Sequence, residues 1–146
     1  MCVFVEIEIP GHPRSEAGRL SREALSRGLL AISAQRQVKS AAGSRFLLGP
    51  SDHPCACSLG GDRVDESGRE LRFDQSHLEK IEATLRFLMS EAGVSGLRIR
   101  SYYAGGTHDP VPPLTDAEAT LDDLLARFRK DRVGGNVRYN IRGRAA

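Results

Sequence analysis

No apolar run in the 146 residues extends beyond a few positions, against the roughly 20 that a membrane-crossing helix needs. A soluble protein with no membrane contact is expected. The opening lacks the basic and apolar regions of a secretory signal, because Met1-Cys2-Val3-Phe4-Val5 runs at once into Glu6 and Glu8; cytoplasm is the expected location. Cysteine is scarce. There are three, an odd number with two of them one residue apart, which does not resemble an even disulfide framework and suits reduced thiols. The net charge of +2 is too small to mark a nucleic-acid binder by itself. Internal repeats, low-complexity tracts, a phosphate-binding glycine loop and a paired-carboxylate constellation are all missing.

A chain of this length forms one domain, 1–146, that buries about two thirds of its unfolded surface. Val3, Val5, Ile7 and Ile9 alternate with Cys2, Phe4, Glu6 and Glu8 as a half-buried strand stopped by Pro10-Gly11. A helix is predicted over Ser15–Arg27, with Ala17, Leu20, Ala24 and Leu25 as its stripe and Gly28 as its stop. Leu29-Leu30-Ala31-Ile32 fits either a short strand or continued helix. Arg45–Gly49 and Cys55–Leu59 read as two strands of a hairpin with a five-residue loop.

The best-marked helix follows, with Asp74 as N-cap, Phe73 as a staple onto Leu78, and Leu78, Ile81, Leu85 and Leu88 stepping by three and four to Gly93. A strand over Leu97–Tyr103 leads to a loop, Ala104–Pro113. The Thr115/Glu118 spacing predicts a third helix from Thr115, burying Leu121, Leu124, Leu125 and Phe128. Val137, Tyr139 and Ile141 form a last strand, expected at a sheet edge where a homodimer can form. Together these elements predict an α+β fold, a mostly antiparallel sheet with about three helices packed on one face and the other face left wet.

Asp52-His53-Pro54-Cys55-Ala56-Cys57-Ser58 is the one dense cluster of soft ligands. On a strand, Cys55 and Cys57 point to the same side, and two thiolates of one zinc ion sit roughly 3.8 Å apart given bonds near 2.3 Å. His53 is the nearest third ligand; His77, His108 or Asp109 can arrive from elsewhere. Without a second Cys pair the zinc pattern is incomplete. A redox dithiol, with His53 lowering one thiol's pKa, uses the same residues, and two small buried hydrophobes in a core strand is the plain alternative.

Other groups invite weaker readings. Removal of Met1 would leave Cys2 with both thiol and α-amine, the pair of N-terminal nucleophile hydrolases and of glutamine amidotransferases of that kind, although the chain is short for their layered fold. His108-Asp109, behind Gly105-Gly106, suits a general base on a pocket rim, or simply a polar loop before a helix. From Arg127 to Ala146 seven basic residues stand against one acid. Arg138 and Arg142 on the last strand are therefore candidates for nucleic-acid contact, with a solvated strand edge as the bland reading.

The Met1-Cys2-Val3-Phe4-Val5 start and the stretch from Phe46-Leu47-Leu48 to Cys55-Ala56-Cys57 resemble a group of uncharacterised bacterial proteins with a Met-Cys start and a Cys-Asp-Cys segment. Here Ala56 stands in place of the acid and Ser58 in place of a glycine. The resemblance implies bacterial origin and no activity. The expected role is a small binding, interaction or regulatory module with a protein partner, with a thiolate-bound structural zinc as an added part. A metal- or thiol-dependent enzyme using Cys55, Cys57 and His53 is the competing class, and nucleic-acid binding a third.

Overall fold

The alternating start becomes β1 (Cys2–Pro10) in a computed structural model that describes residues 2–34, 43–49, 56, 60–63, 71–73, 75–104, 115–130 and 135–143. A 3-10 turn (Arg14–Glu16), α1 (Ala17–Ser26), β2 (Ala31–Ala34) and β3 (Gly43–Gly49) follow. Next come β4 (Gly60–Arg63), β5 (Leu71–Phe73), α2 (Gln75–Met89), β6 (Gly96–Ala104), β7 (Thr115–Ala119), α3 (Leu121–Lys130) and β8 (Gly135–Arg142). Six strands form one sheet in the order β2-β3-β1-β6-β8-β7, and β4 pairs with β5 apart from it. All neighbours in the large sheet are antiparallel except β7 and β8. The fold is thus α+β, as expected. No helix among the described residues is long and apolar enough to cross a membrane.

Strand alternation and helix periodicity meet in one core. Val5, Ile7 and Ile9 of β1, Phe46 and Leu48 of β3, Leu97 and Ile99 of β6 and Ile141 of β8 share a buried cluster with the apolar stripes of all three helices. In α2 that stripe is Leu78, Ile81, Leu85 and Leu88, joined by Phe87. Thr84 is buried there too; its hydroxyl donates to the Lys80 carbonyl at 2.7 Å and accepts from the Leu30 amide at 3.3 Å. Phe73 meets Phe128 of α3 edge to face, 5.2 Å between ring centres. Gly28, at φ 72°, closes α1, with the Leu29 amide donating to Ala24 and the Gly28 amide to Leu25. Leu29–Ile32 resolves in favour of a strand, since β2 starts at Ala31.

Three expectations are corrected. The residues from Thr115 form β7, and α3 starts only at Leu121. Its cap is Thr120, whose hydroxyl accepts from the Asp123 amide at 3.1 Å while the Asp123 carboxylate accepts from the Thr120 amide at 3.4 Å. β7, α3 and β8 make a crossover between parallel neighbours, so β8 lies between β6 and β7. The homodimer expected through β8 loses its premise, because the edge on that side is β7, which carries Asp116 and Glu118. Of the expected 45–59 hairpin the second strand lies outside the described residues except for Ala56, which is in no strand, and β3 takes β2 and β1 as its neighbours. Asp74 lies outside the described residues.

Candidate functional site

Pro10 and Gly11 turn the chain out of β1, with Gly11 at φ 74° and the His12 amide donating to the Ile9 carbonyl at 3.2 Å. Proline and glycine at these two positions suit a tight turn with a left-handed third residue. Beneath it runs Gly43 of β3, where an added Cβ would sit 2.0 Å from the Ile9 carbonyl oxygen. Only glycine lets the two backbones approach so closely.

The next residue, Ser44, receives the turn. His12 Nδ1 lies 2.8 Å from Ser44 Oγ, and that hydroxyl is 3.1 Å from the Pro13 carbonyl. Both side chains are buried. With the Nδ1–H tautomer His12 donates to Ser44 and the hydroxyl donates to the Pro13 carbonyl; with the other tautomer the hydroxyl donates to Nδ1, so the two side chains are hydrogen-bonded in either case. The pair clamps the corner.

Against the corner lies a cavity of about 360 Å³, lined by Arg14, Arg19 and Arg22 from the 3-10 turn and α1 and by Arg45 from β3. Ser15, Ser44, Ala17, Gly18 and Ala34 complete the described lining, and no acid is among it. Arg19 is tied down by Glu16 at 2.6 Å, Glu23 at 3.4 Å and Glu91. Its hydrogen bonds to Glu16 and Glu91 hold the guanidinium above its ordinary pKa, and Arg19 in turn holds Glu16 below the usual carboxylate range. Arg22 is different: it makes no hydrogen bond or ion pair with another described residue. Arg45 donates from Nη2 to Glu8 at 2.9 Å, yet its Nε is buried without a partner.

Arg45 also belongs to the sheet face that carries no helices. Glu8 accepts from Arg45 and from Arg98 at 3.1 Å, and Glu6 accepts from Arg100. Glu6, Glu8 and Arg100 are nearly inaccessible at 6%, 6% and 4%, beside a small apolar cluster of Phe4, Leu47 and Tyr102. The expectation of a wet face is therefore corrected along β1: ion pairing across strands lets charged side chains be buried there. Toward β7 the face opens to solvent.

The sequence-derived candidates fare unevenly. His53, Cys55 and Cys57 lie outside the described residues, as do His108 and Asp109; Ala56, between the two thiols, is fully buried in the core cluster. Cys2 opens β1 opposite Ala104. His77, on the first turns of α2, has Nδ1 buried without a partner. Among the described residues no group of three His, Cys, Asp or Glu side chains could hold a metal ion. Arg138 is already engaged: Nε and Nη2 donate to the two Asp116 oxygens at 2.5 and 3.1 Å. That pairing lowers the Asp116 pKa and raises that of Arg138. Arg142 is exposed, 3.7 Å from Glu118.

The corner cavity had no sequence signal of its own. Arg19 and Arg22 are three apart on one helix, as any surface pair can be, and Arg45 arrives from a strand that only the sheet brings near. The chain matches no protein-family model, no curated protein and no solved structure.

Proposed function

We propose that the chain is a small binding module whose ligand carries an anionic group, taken into the corner cavity beside the His12–Ser44 clamp. One observation carries this reading: three arginines of the 3-10 turn and α1, Arg14, Arg19 and Arg22, line one cavity, and no acid is among its described lining. Arg22, which has no partner among the described residues, leaves guanidinium donors unspent. Such donors favour an oxyanion, which guanidinium groups bind through paired hydrogen bonds. A binding role also fits the corner, where the histidine and serine are spent on holding the turn.

Thermal unfolding at constant ionic strength, with phosphate replacing chloride, tests the reading. The midpoint rises with the logarithm of phosphate concentration if the folded state alone binds the anion. A midpoint indifferent to which anion is present contradicts it. The burial of Ala56 keeps a second reading, a structural zinc ion on Cys55, Cys57 and His53, since it brings the middle of that segment onto the core. Elemental analysis of the protein beside Cys55→Ser tests that one, with zinc in the first and its loss in the second expected.

A further inference from the structure

His12 stands one serine away from the cavity. Its Nδ1 lies 2.8 Å from Ser44 Oγ, and Ser44 is part of the cavity wall. The residue keeps only 7% of its surface exposed, so a charge on its ring is screened far less than a surface charge. A protonated ring also fits the corner as it is built. Nδ1–H then donates to Ser44, and the hydroxyl donates onward to the Pro13 carbonyl at 3.1 Å. The turn stays clamped in both charge states of the ring.

Histidine is the one side chain whose ordinary charge change falls between about pH 5 and 8. Among the described residues around the cavity no other group titrates there. The 3-10 turn and α1 contribute Arg14, Arg19 and Arg22, which stay protonated throughout. Glu16, on the 3-10 turn, feels the charge of His12, but the hydrogen bond and charge of Arg19 do more to hold its carboxyl below the usual carboxylate range. It stays ionised. From β3, Arg45 carries its guanidinium to the sheet face without helices, with Glu8 at 2.9 Å and Glu6 at 3.8 Å. Between β2 and β3 the sequence holds Arg36 and Lys39 as its only charged residues, and neither type titrates in this range.

Resting on the anion-binding reading, we infer that His12 makes the corner a pH-responsive anion site, whose affinity rises as the ring takes up a proton. The added charge attracts the anion across Ser44. By linkage, a bound anion favours the protonated ring to the same extent.

Sulfate is the probe, because it keeps one charge over this range while phosphate changes its own. Calorimetric titration at fixed ionic strength is expected to show about fivefold tighter binding at about pH 5.5 than at about pH 7.5, the scale of one added charge nearby. His12→Asn, which offers an amide near the place of Nδ1 and does not titrate, is expected to bind sulfate alike at both. In the parent, the NMR titration of the His12 ring moves to higher pH when sulfate is bound. Equal affinity at the two pH values, a ring titration that sulfate leaves in place, or the parent's pH dependence retained in folded His12→Asn overturns the switch while leaving the anion site standing. If neither sulfate nor inorganic phosphate binds, the anion reading falls, and the switch with it.

Discussion

Arg100 meets Glu6 across β6 and β1 with two parallel hydrogen bonds, Nε to Oε1 at 3.1 Å and Nη2 to Oε2 at 3.2 Å, on the sheet face that carries no helix. Arg45 stands 3.8 Å from the same carboxylate. Removing one member of a buried pair leaves a charge without its partner, so Arg100→Ala is expected to cost about 3–5 kcal/mol. Replacing both, as Glu6→Leu with Arg100→Met, is expected to cost far less than the two single changes together. Urea unfolding of the four proteins of this cycle checks it; additive costs would show that the pair is not coupled.

The same face sets an alkaline limit. Tyr102 packs on Phe4, 5.7 Å between ring centres, with the Arg100 guanidinium 4.7 Å over its ring. Burial above all, then the charge of Glu6, pushes the Tyr102 hydroxyl above the ordinary tyrosine range. Because the folded value is the higher one, this group's stabilisation is complete below the unfolded value of about 10 and is lost as pH rises through the folded value. Titration of tyrosinate absorbance should show one late component that disappears in Tyr102→Phe. An unchanged curve in that variant would assign the component elsewhere.

Gly43 is required where β3 passes under the β1 turn. A methyl group there would lie 2.0 Å from a backbone oxygen that cannot rotate away. Gly43→Ala is expected to destabilise by about 3 kcal/mol or more, the upper range of overpacking. Because Ser44 follows directly, the variant should also lose phosphate binding at temperatures where it remains folded. A stability within about 0.5 kcal/mol of the parent would show that the two strands can separate there at little cost.

The true start of α3 is tested by exchanging caps. Thr120→Ala is expected to cost about 1 kcal/mol, through loss of the bond that its hydroxyl accepts from the Asp123 amide. Thr115→Ala, exposed on β7, should cost less. The opposite order in urea unfolding would restore a helix starting at Thr115.

Local pattern carried the fold where contacts are local. Period-two alternation in β1 placed Val5, Ile7 and Ile9 in the core, and three-and-four spacing found the buried stripe of α2. Both signals depend only on residues a few positions apart. The misplacements share the opposite cause. Thr115-x-x-Glu118 has the spacing of a capping box, as does Thr120-x-x-Asp123, and only pairing with β8 decides between them. Arginine alternating with Val137, Tyr139 and Ile141 looks the same on an edge strand as on an inner strand with one charged face.

Glu6 and Glu8 read as solvent-facing because their partners lie 37 to 94 residues away, on strands whose order the pattern does not reveal. The candidate site was less legible still. The thiol cluster that dominates the sequence falls outside the described residues, whereas the cavity is assembled from arginines on a turn, a helix and a strand. No single stretch of chain contains its signal.

Anion binding at the corner is tested most directly by titrating inorganic phosphate into the protein, into Arg22→Ala and into Arg142→Ala by calorimetry. Arg22 lines the cavity without a described partner, while Arg142 carries the same charge at the same end of the sheet but outside it. Loss of one charge-assisted hydrogen-bonding group should weaken binding about tenfold or more in Arg22→Ala, with Arg142→Ala close to the parent. No heat of binding in the parent, or equal weakening by both substitutions, would contradict a site at the corner and leave only diffuse attraction to positive charge.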